Sequence, residues 1–310
     1  VGRLEKPPGA EKGDGGMTLD LIDLATSALR MSTPLLLAAM AGVVCERSGV
    51  VNIALEGLML AGAFAAAAFT LAAGSPWLGL GGALAVGGLL GLLYGLFVIK
   101  LRADQIVTGT AFNMLAFGLT PLLAKALYGV AGSSPSIPLA ERFHWEPLAL
   151  ACLAVVALHF FLRMTPAGLW LRFAGQNPEA LACAGVSPLR VRWAAVLTSG
   201  MLAAAGGAAL SIYLSSSFAR QMSAGRGFMA LAALIFGRWQ PIPAALACLL
   251  FGFTEALQIR LQGVHLPGME EPVPVQFIQI LPYLVTLLVL AGFVGRRGAP
   301  KALGQPYERA

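Results

Sequence analysis

A few polar and charged residues stand inside otherwise apolar stretches of this 310-residue sequence, and any chemistry must be sought there. Asn52 and Glu56 belong to Glu46-Arg47-Ser48-Gly49-Val50-Val51-Asn52-Ile53-Ala54-Leu55-Glu56-Gly57. A carboxylate at the centre of a bilayer costs about 2.5–3.5 kcal/mol on insertion scales. Glu56 falls in the first turn of an expected helix, where the helix dipole and nearby Arg47 can offset much of that cost. A structural helix start therefore competes with a role along a passage. Gln105, Thr108 and Asn113 follow Asp104 and, at the helical period, fall within an arc of about 140°. A polar arc on a membrane helix faces the bundle interior or a passage, and interhelical hydrogen bonding is an equal alternative. Glu255 is the most isolated charge, with Arg260 its only local candidate partner. Soluble-enzyme chemistry finds no support, since GxxxxGK[ST], HExxH and GxSxG are all missing from the sequence. The three histidines stand far apart and the four cysteines share no CxxC spacing. They suggest no metal site; the cysteines read as small buried hydrophobes.

A second signal lies in a polar connection, Gly175-Gln176-Asn177-Pro178-Glu179-Ala180-Leu181-Ala182-Cys183-Ala184-Gly185-Val186. Asn177 suits an N-cap and Pro178 the first helical position, where a missing N–H costs nothing. Glu179 complements the positive helix end, and Gly185 can supply a left-handed stop. These residues predict a helix of about two turns, too short to be stable alone, so it must lie against something. A plain inter-helix linker is the competing reading. Ser187-Pro188 repeats the device and launches the next long helix.

The elements that hold these residues follow from composition. Hydrophobic residues make up 57% of the chain and charged ones 12%, against roughly 45–50% and 25% in soluble domains. No charge occurs from Gly57 to Ile99. Repeated apolar runs of membrane-spanning length predict an all-α polytopic integral membrane protein. The runs fall at about 21–45, 53–73, 76–100, 104–127, 147–164, 190–214, 240–261 and 275–294, giving about eight transmembrane helices. A piece at 227–237 is too short to cross alone and reads as a re-entrant or broken helix. Arg163, Arg172, Arg190 and Arg192 place the 163–192 loop in the cytoplasm, as Lys100, Arg102, Arg296, Arg297 and Lys301 do for their segments. Segments 129–146 and 263–274, with Glu141, Glu146, Glu270 and Glu271, face outward. Arg220 and Arg226 resist this scheme, and parity puts the N-terminus outside unless the first helix is broken; Arg30 fits either a break or a tilt of that helix, and the side of the N-terminus stays open. Gly79, Ala83, Gly87, Gly91 and Gly95 form a small-residue stripe along the third run, with Gly200, Ala204 and Ala208 a second on the sixth. Close packing inside the bundle is favoured over a subunit interface. The net charge of +6 is spread singly between apolar runs and indicates no nucleic-acid surface.

Four motifs in order, ERSGVVNIALEGLMLAGAF, ADQIVTGTAFN, GQNPEALACAGV and GRGFMALAALIFGRWQP, resemble the ABC-importer permeases related to ribose and branched-chain amino acid permeases. Within these the sequence is most similar to nucleoside-uptake permeases, from about Leu29 to Phe293. The resemblance implies a permease subunit in the plasma membrane that hydrolyses nothing and binds no cofactor, ATP being bound by a partner. The implied partners are ABC ATPase subunits, a second similar or identical permease, and a lipoprotein or periplasmic protein that delivers a small polar solute. It makes the 178–184 helix the coupling helix, with Asn177, Pro178, Glu179, Ala180, Leu181 and Gly185 as its residues and Leu181 entering an ATPase groove. It also makes the 227–237 piece a half-helix flanking the passage, for which Asn52, Glu56, Gln105, Thr108 and Asn113 are the candidates. The expected organisation is a polar extension at 1–20, a permease domain at 21–295 with a coupling loop at 165–190, and a cytoplasmic tail at 296–310. A sugar or branched-chain amino acid permease is the alternative solute class. An ion-gradient transporter would have to rely on Arg30, Glu56 and Glu255 for coupling.

Overall fold

The computed structural model describes residues 14–261, 280, 284 and 298–307. Its long helices are α1 (Asp14–Arg47), α2 (Leu55–Ala73), α3 (Pro76–Gly95), α4 (Gln105–Tyr128), α5 (Glu146–Met164), α8 (Pro188–Ala209) and α10 (Pro241–Leu261). Between them lie α6 (Pro166–Gln176), α7 (Pro178–Cys183) and α9 (Arg226–Phe236). Single π-helical turns extend α3 through Lys100 and α8 through Leu214. Seven of the described helices are long and apolar enough to cross a membrane. The expected span at 275–294 lies outside the described residues, as does the 263–274 segment.

The starts and stops have local causes. Proline occupies the first turn of α3, α5, α6, α7 and α8, where no amide is lost. Asp104 caps α4 by accepting from the amides of Ile106 and Val107. α2 and α4 end on left-handed Gly74 and Gly129.

Packing sorts the apolar helices into an inner and an outer set. α1, α2 and α8 form the centre, with α3 against α2 and α8, α10 and α9 against α1, and α4 along α2. The inner set is rich in alanine and glycine, and its close approaches are made at backbone distance. A Cβ on Gly87 would fall 2.3 Å from the Ala204 Cβ and 2.4 Å from the Gly200 oxygen. One on Gly62 would meet the Ala204 backbone at 2.4 Å, and one on Gly207 the Met59 oxygen at 1.8 Å. The two small-residue stripes thus meet each other inside the bundle. Large side chains such as Leu89, Met114, Leu122 and Leu153 point outward, where lipid receives them as readily as a protein core would.

The structure excludes one of the two readings of Arg30 and adds a role for Arg192. The first helix is not broken at Arg30: α1 is continuous from Asp14 to Arg47, and Arg30 is exposed, its guanidinium 5.3 Å from the Tyr213 ring centroid. Tyr213 stands at the end of α8 far from the 165–187 connection, so α1 begins at the end of the bundle opposite that connection. Arg192 is more than a topology marker. It is buried, and it donates to the carbonyls of Ser48, Ala174 and Gln305 at 3.2, 3.5 and 2.9 Å. It bolts α8 to the α1–α2 turn, the end of α6 and the C-terminal segment. That segment is strapped on further, with the Ala302 amide donating to Gly175 and the Gly304 amide to Gly49.

Candidate functional site

The chain is interrupted between α1 and α2, and the interruption runs into the bundle. Gly49 takes a left-handed φ of 93°, after which residues 50–54 run without helical bonding. Backbone groups stripped of a helix need other partners inside a membrane, and the predicted polar residues supply them. Gln105 accepts the Val51 amide at 2.7 Å. Asn113 accepts the Gly57 amide at 2.7 Å and donates to the Ile53 carbonyl at 3.0 Å. Tyr94, which was not singled out from the sequence, donates to the Val51 carbonyl at 2.7 Å. Asn52 donates to the Ser199 hydroxyl at 2.9 Å, while its own Oδ1 is buried without a partner among the described residues. Thr108 bonds only the Asp104 carbonyl of its own helix. All five predicted residues are buried, and all but Thr108 are tied to another element.

Glu56 connects this break to a second one. After the turn at 215–225 the chain starts α9 beside the start of α2, and a Cβ on Gly227 would lie 2.5 Å from the Glu56 nitrogen. The Glu56 carboxylate accepts the Gly225 amide at 2.8 Å and the Gly227 amide at 2.6 Å. One buried charge thus answers the positive ends of two helices, its own and that of α9. Arg47, expected to assist, instead donates to the Trp239 carbonyl at 2.6 Å. α9 therefore runs from the bundle interior to the end that carries Arg47, where the Trp239 indole donates to Glu46. The short 227–237 piece is a half-helix, Arg226–Phe236, entering beside the α2 start. The partner of Glu255 is Arg226 rather than the expected Arg260. Sequence spacing could not supply that pair, because 29 residues separate its members.

At the end of the bundle that carries Arg47, α7 forms where expected. The Asn177 Oδ1 accepts the Ala180 amide at 3.1 Å, and Gly185 follows with φ 81°. α7 lies against α6 and α8. Leu181 does not project outward: it is 3% exposed, buried in its own chain, so it cannot be the side chain that enters a partner's groove. Exposed instead are Glu179, Ala180, Cys183 and Ala184, together with Asn177 and Gly185 at the two ends. The preceding helix α6 was missed. Thr165-Pro166 carries its start signal, with the Thr165 hydroxyl accepting the Gly168 amide at 3.0 Å, and a mixed apolar and basic sequence conceals it within a charged loop. α6 exposes Leu169, Trp170 and Phe173, as a helix lying along a membrane interface does.

Residues 24–290 match the family described as branched-chain amino acid transport system / permease component. The guanosine ABC transporter permease protein NupQ of Bacillus subtilis is 38% identical, over 92% of this chain and 96% of its own. The nucleoside ABC transporter permease protein NupC of Lactococcus lactis is 36% identical, over 94% of this chain and 97% of its own. A solved inward-facing ABC transporter assigned to the metal-chelate type shares the fold at a TM-score of 0.51 and 13% identity, covering 94% of this chain and 93% of that one. Seven spans among the described residues, the coverage of the family match and relatives matched over nearly their whole length agree: the chain belongs to the branched-chain amino acid transport system permease family and is a multi-pass plasma-membrane permease subunit of an ABC importer, not itself an enzyme.

Proposed function

We propose that this permease subunit carries nucleosides inward, with a second permease subunit beside it and ATP hydrolysis in partner ATPase subunits. The observation that carries the solute class is the pair of relatives bearing guanosine and nucleoside names, each matched over more than nine-tenths of this chain. A delivering lipoprotein or periplasmic protein supplies the solute on the outer side. α7 transmits the ATPase movement: its exposed Glu179, Ala180, Cys183 and Ala184 meet the ATPase, while Leu181 anchors the helix to the permease. Asn177, Pro178 and Gly185 shape its ends.

Gln105, Thr108 and Asn113 serve the passage by holding the broken 50–57 segment beside it, and Glu56 does so by fixing α9. Asn52 is the member that would meet solute once the bundle opens, because its Oδ1, buried in this structure, has an unused acceptor suited to a base amino group or a ribose hydroxyl. Asn52→Leu should raise the KM for guanosine about tenfold, as expected when a charge-free hydrogen bond and its geometry are lost. The test is uptake of radiolabelled guanosine, glucose and leucine into vesicles holding the complete transporter. Guanosine uptake that unlabelled glucose and leucine do not compete supports the reading, and ATP-dependent uptake of glucose or leucine instead overturns it.

A further inference from the structure

We propose that a cavity of about 660 Å³ at the cytoplasmic end of the bundle binds a phosphate-bearing anion, either the headgroup of an acidic phospholipid or a soluble phosphate. Arg47 from the end of α1, Arg163 and His159 from α5, Arg172 from α6, Arg238 from the α9–α10 turn and Lys301 from the C-terminal strap all line it. No carboxylate lines it among the described residues. The positive-inside rule explains basic residues scattered through cytoplasmic loops. It does not explain why five cations from five elements should converge on one hollow, where they repel one another unless an anion is present.

Two further observations point to a ligand. The Arg172 Nε is buried with no hydrogen-bond partner among the described residues, a state rare for a group that donates so strongly. Arg238 and Trp239 both adopt left-handed backbone, with φ of 51° and 56°, a strained pair for residues with side chains. That strain is held by the bonds from Arg47 to the Trp239 carbonyl and from the Trp239 indole to Glu46. The result turns Arg238 into the cavity wall. Pro241 and Pro243 leave the first turn of α10 nearly without free amides, so guanidinium groups rather than a helix end would hold the anion. Guanidinium pairs match phosphate oxygens in a bidentate manner. The neighbouring α6 exposes Trp170 and Phe173 as an interfacial helix does, which sets the cavity at headgroup depth, where basic pockets between helices take acidic lipids.

The experiment melts the purified full-length chain in neutral detergent while titrating dioctanoyl phosphatidylglycerol, dioctanoyl glycerol or inorganic phosphate against chloride of matched ionic strength. Saturable stabilisation by the phosphatidylglycerol and not by the diacylglycerol is expected. In Arg172→Gln/Arg238→Gln its midpoint should rise at least about tenfold, two charge-assisted bonds being lost. Arg190→Gln, at the same end but outside this cavity, should leave the midpoint unchanged. Stabilisation by inorganic phosphate with the same dependence on Arg172 and Arg238 would identify the soluble anion as the source. If the double variant does not fold, Lys301→Gln, an exposed position, replaces it with an expected weakening of about threefold. No stabilisation by either phosphate compound, or equal stabilisation in the variants, overturns the proposal.

Discussion

Glu56 is the residue whose surroundings depart most from what its sequence position suggests. Its two oxygens accept the amides of Gly225 and Gly227 at the start of α9, so Glu56→Gln would turn an amide NH2 toward at least one backbone N–H. A buried donor left unpaired costs about 1–3 kcal/mol, and the variant should melt earlier in detergent by that order; an unchanged melting temperature would mean the carboxylate does not hold α9. Asn113→Leu strands both the Gly57 amide and the Ile53 carbonyl and should cost about 1–3 kcal/mol for each group. Thr108→Val removes only a bond to its own helix and should cost less than about 1 kcal/mol in the same melting series. The polar arc on α4 was legible because three polar residues on one face of an apolar run need an explanation. Which of them reach another element was not legible, since that depends on where the unwound 50–54 segment lies. The Arg226–Glu255 pair escaped for the same reason.

Among the elements, α3 and α8 show how membrane helices find each other when water is absent. Burying leucine against leucine gains little over leaving it in lipid, so the seam is made where glycine lets backbones touch. Gly87→Leu would force atoms into the Gly200 oxygen and Ala204, and overpacking of this kind costs about 1–3 kcal/mol or more. Gly81 has nothing within 4 Å of its would-be Cβ, so Gly81→Leu should insert and melt like the parent. Equal folded yields for the two variants would remove the close-packing account. The stripe could be read from spacing alone, because its period of four is that of one helix face. α6 could not, since hydropathy averages its exposed aromatics with Arg172, its glycines and the charged residues of the surrounding loop. Whether a helix is central or peripheral was equally hidden: α2, α4 and α5 are all long and apolar enough to cross a membrane, and only the tertiary arrangement shows which of them are buried by the others.

At the scale of the whole molecule, the role proposed for α7 requires it to transmit force without being torn from the permease. Leu181 is buried, so Leu181→Asp forfeits about 1.5–3 kcal/mol of apolar burial and forces a carboxylate out of water. Its folded yield should fall, whether or not ATPase subunits are present. Ala180 is exposed beside the same cap, and Ala180→Trp should leave yield and melting unchanged while reducing co-purification with the ATPase subunits and uptake together. Normal assembly and uptake in Ala180→Trp would mean that α7 is a linker. The sequence by itself determined the class of molecule, the long helices within described residues, the half-helix, the capped α7 and the family, because each is written in composition, in periodicity or in residues contiguous along the chain. The tertiary structure alone decided that Leu181 turns inward, that α1 runs unbroken past Arg30 and that Arg192 is a buried bolt. It alone decided that Glu56 joins two helix starts. Each of these depends on groups far apart in the chain, and hydrogen bonds in a medium without water are assigned by which backbone breaks come to lie side by side.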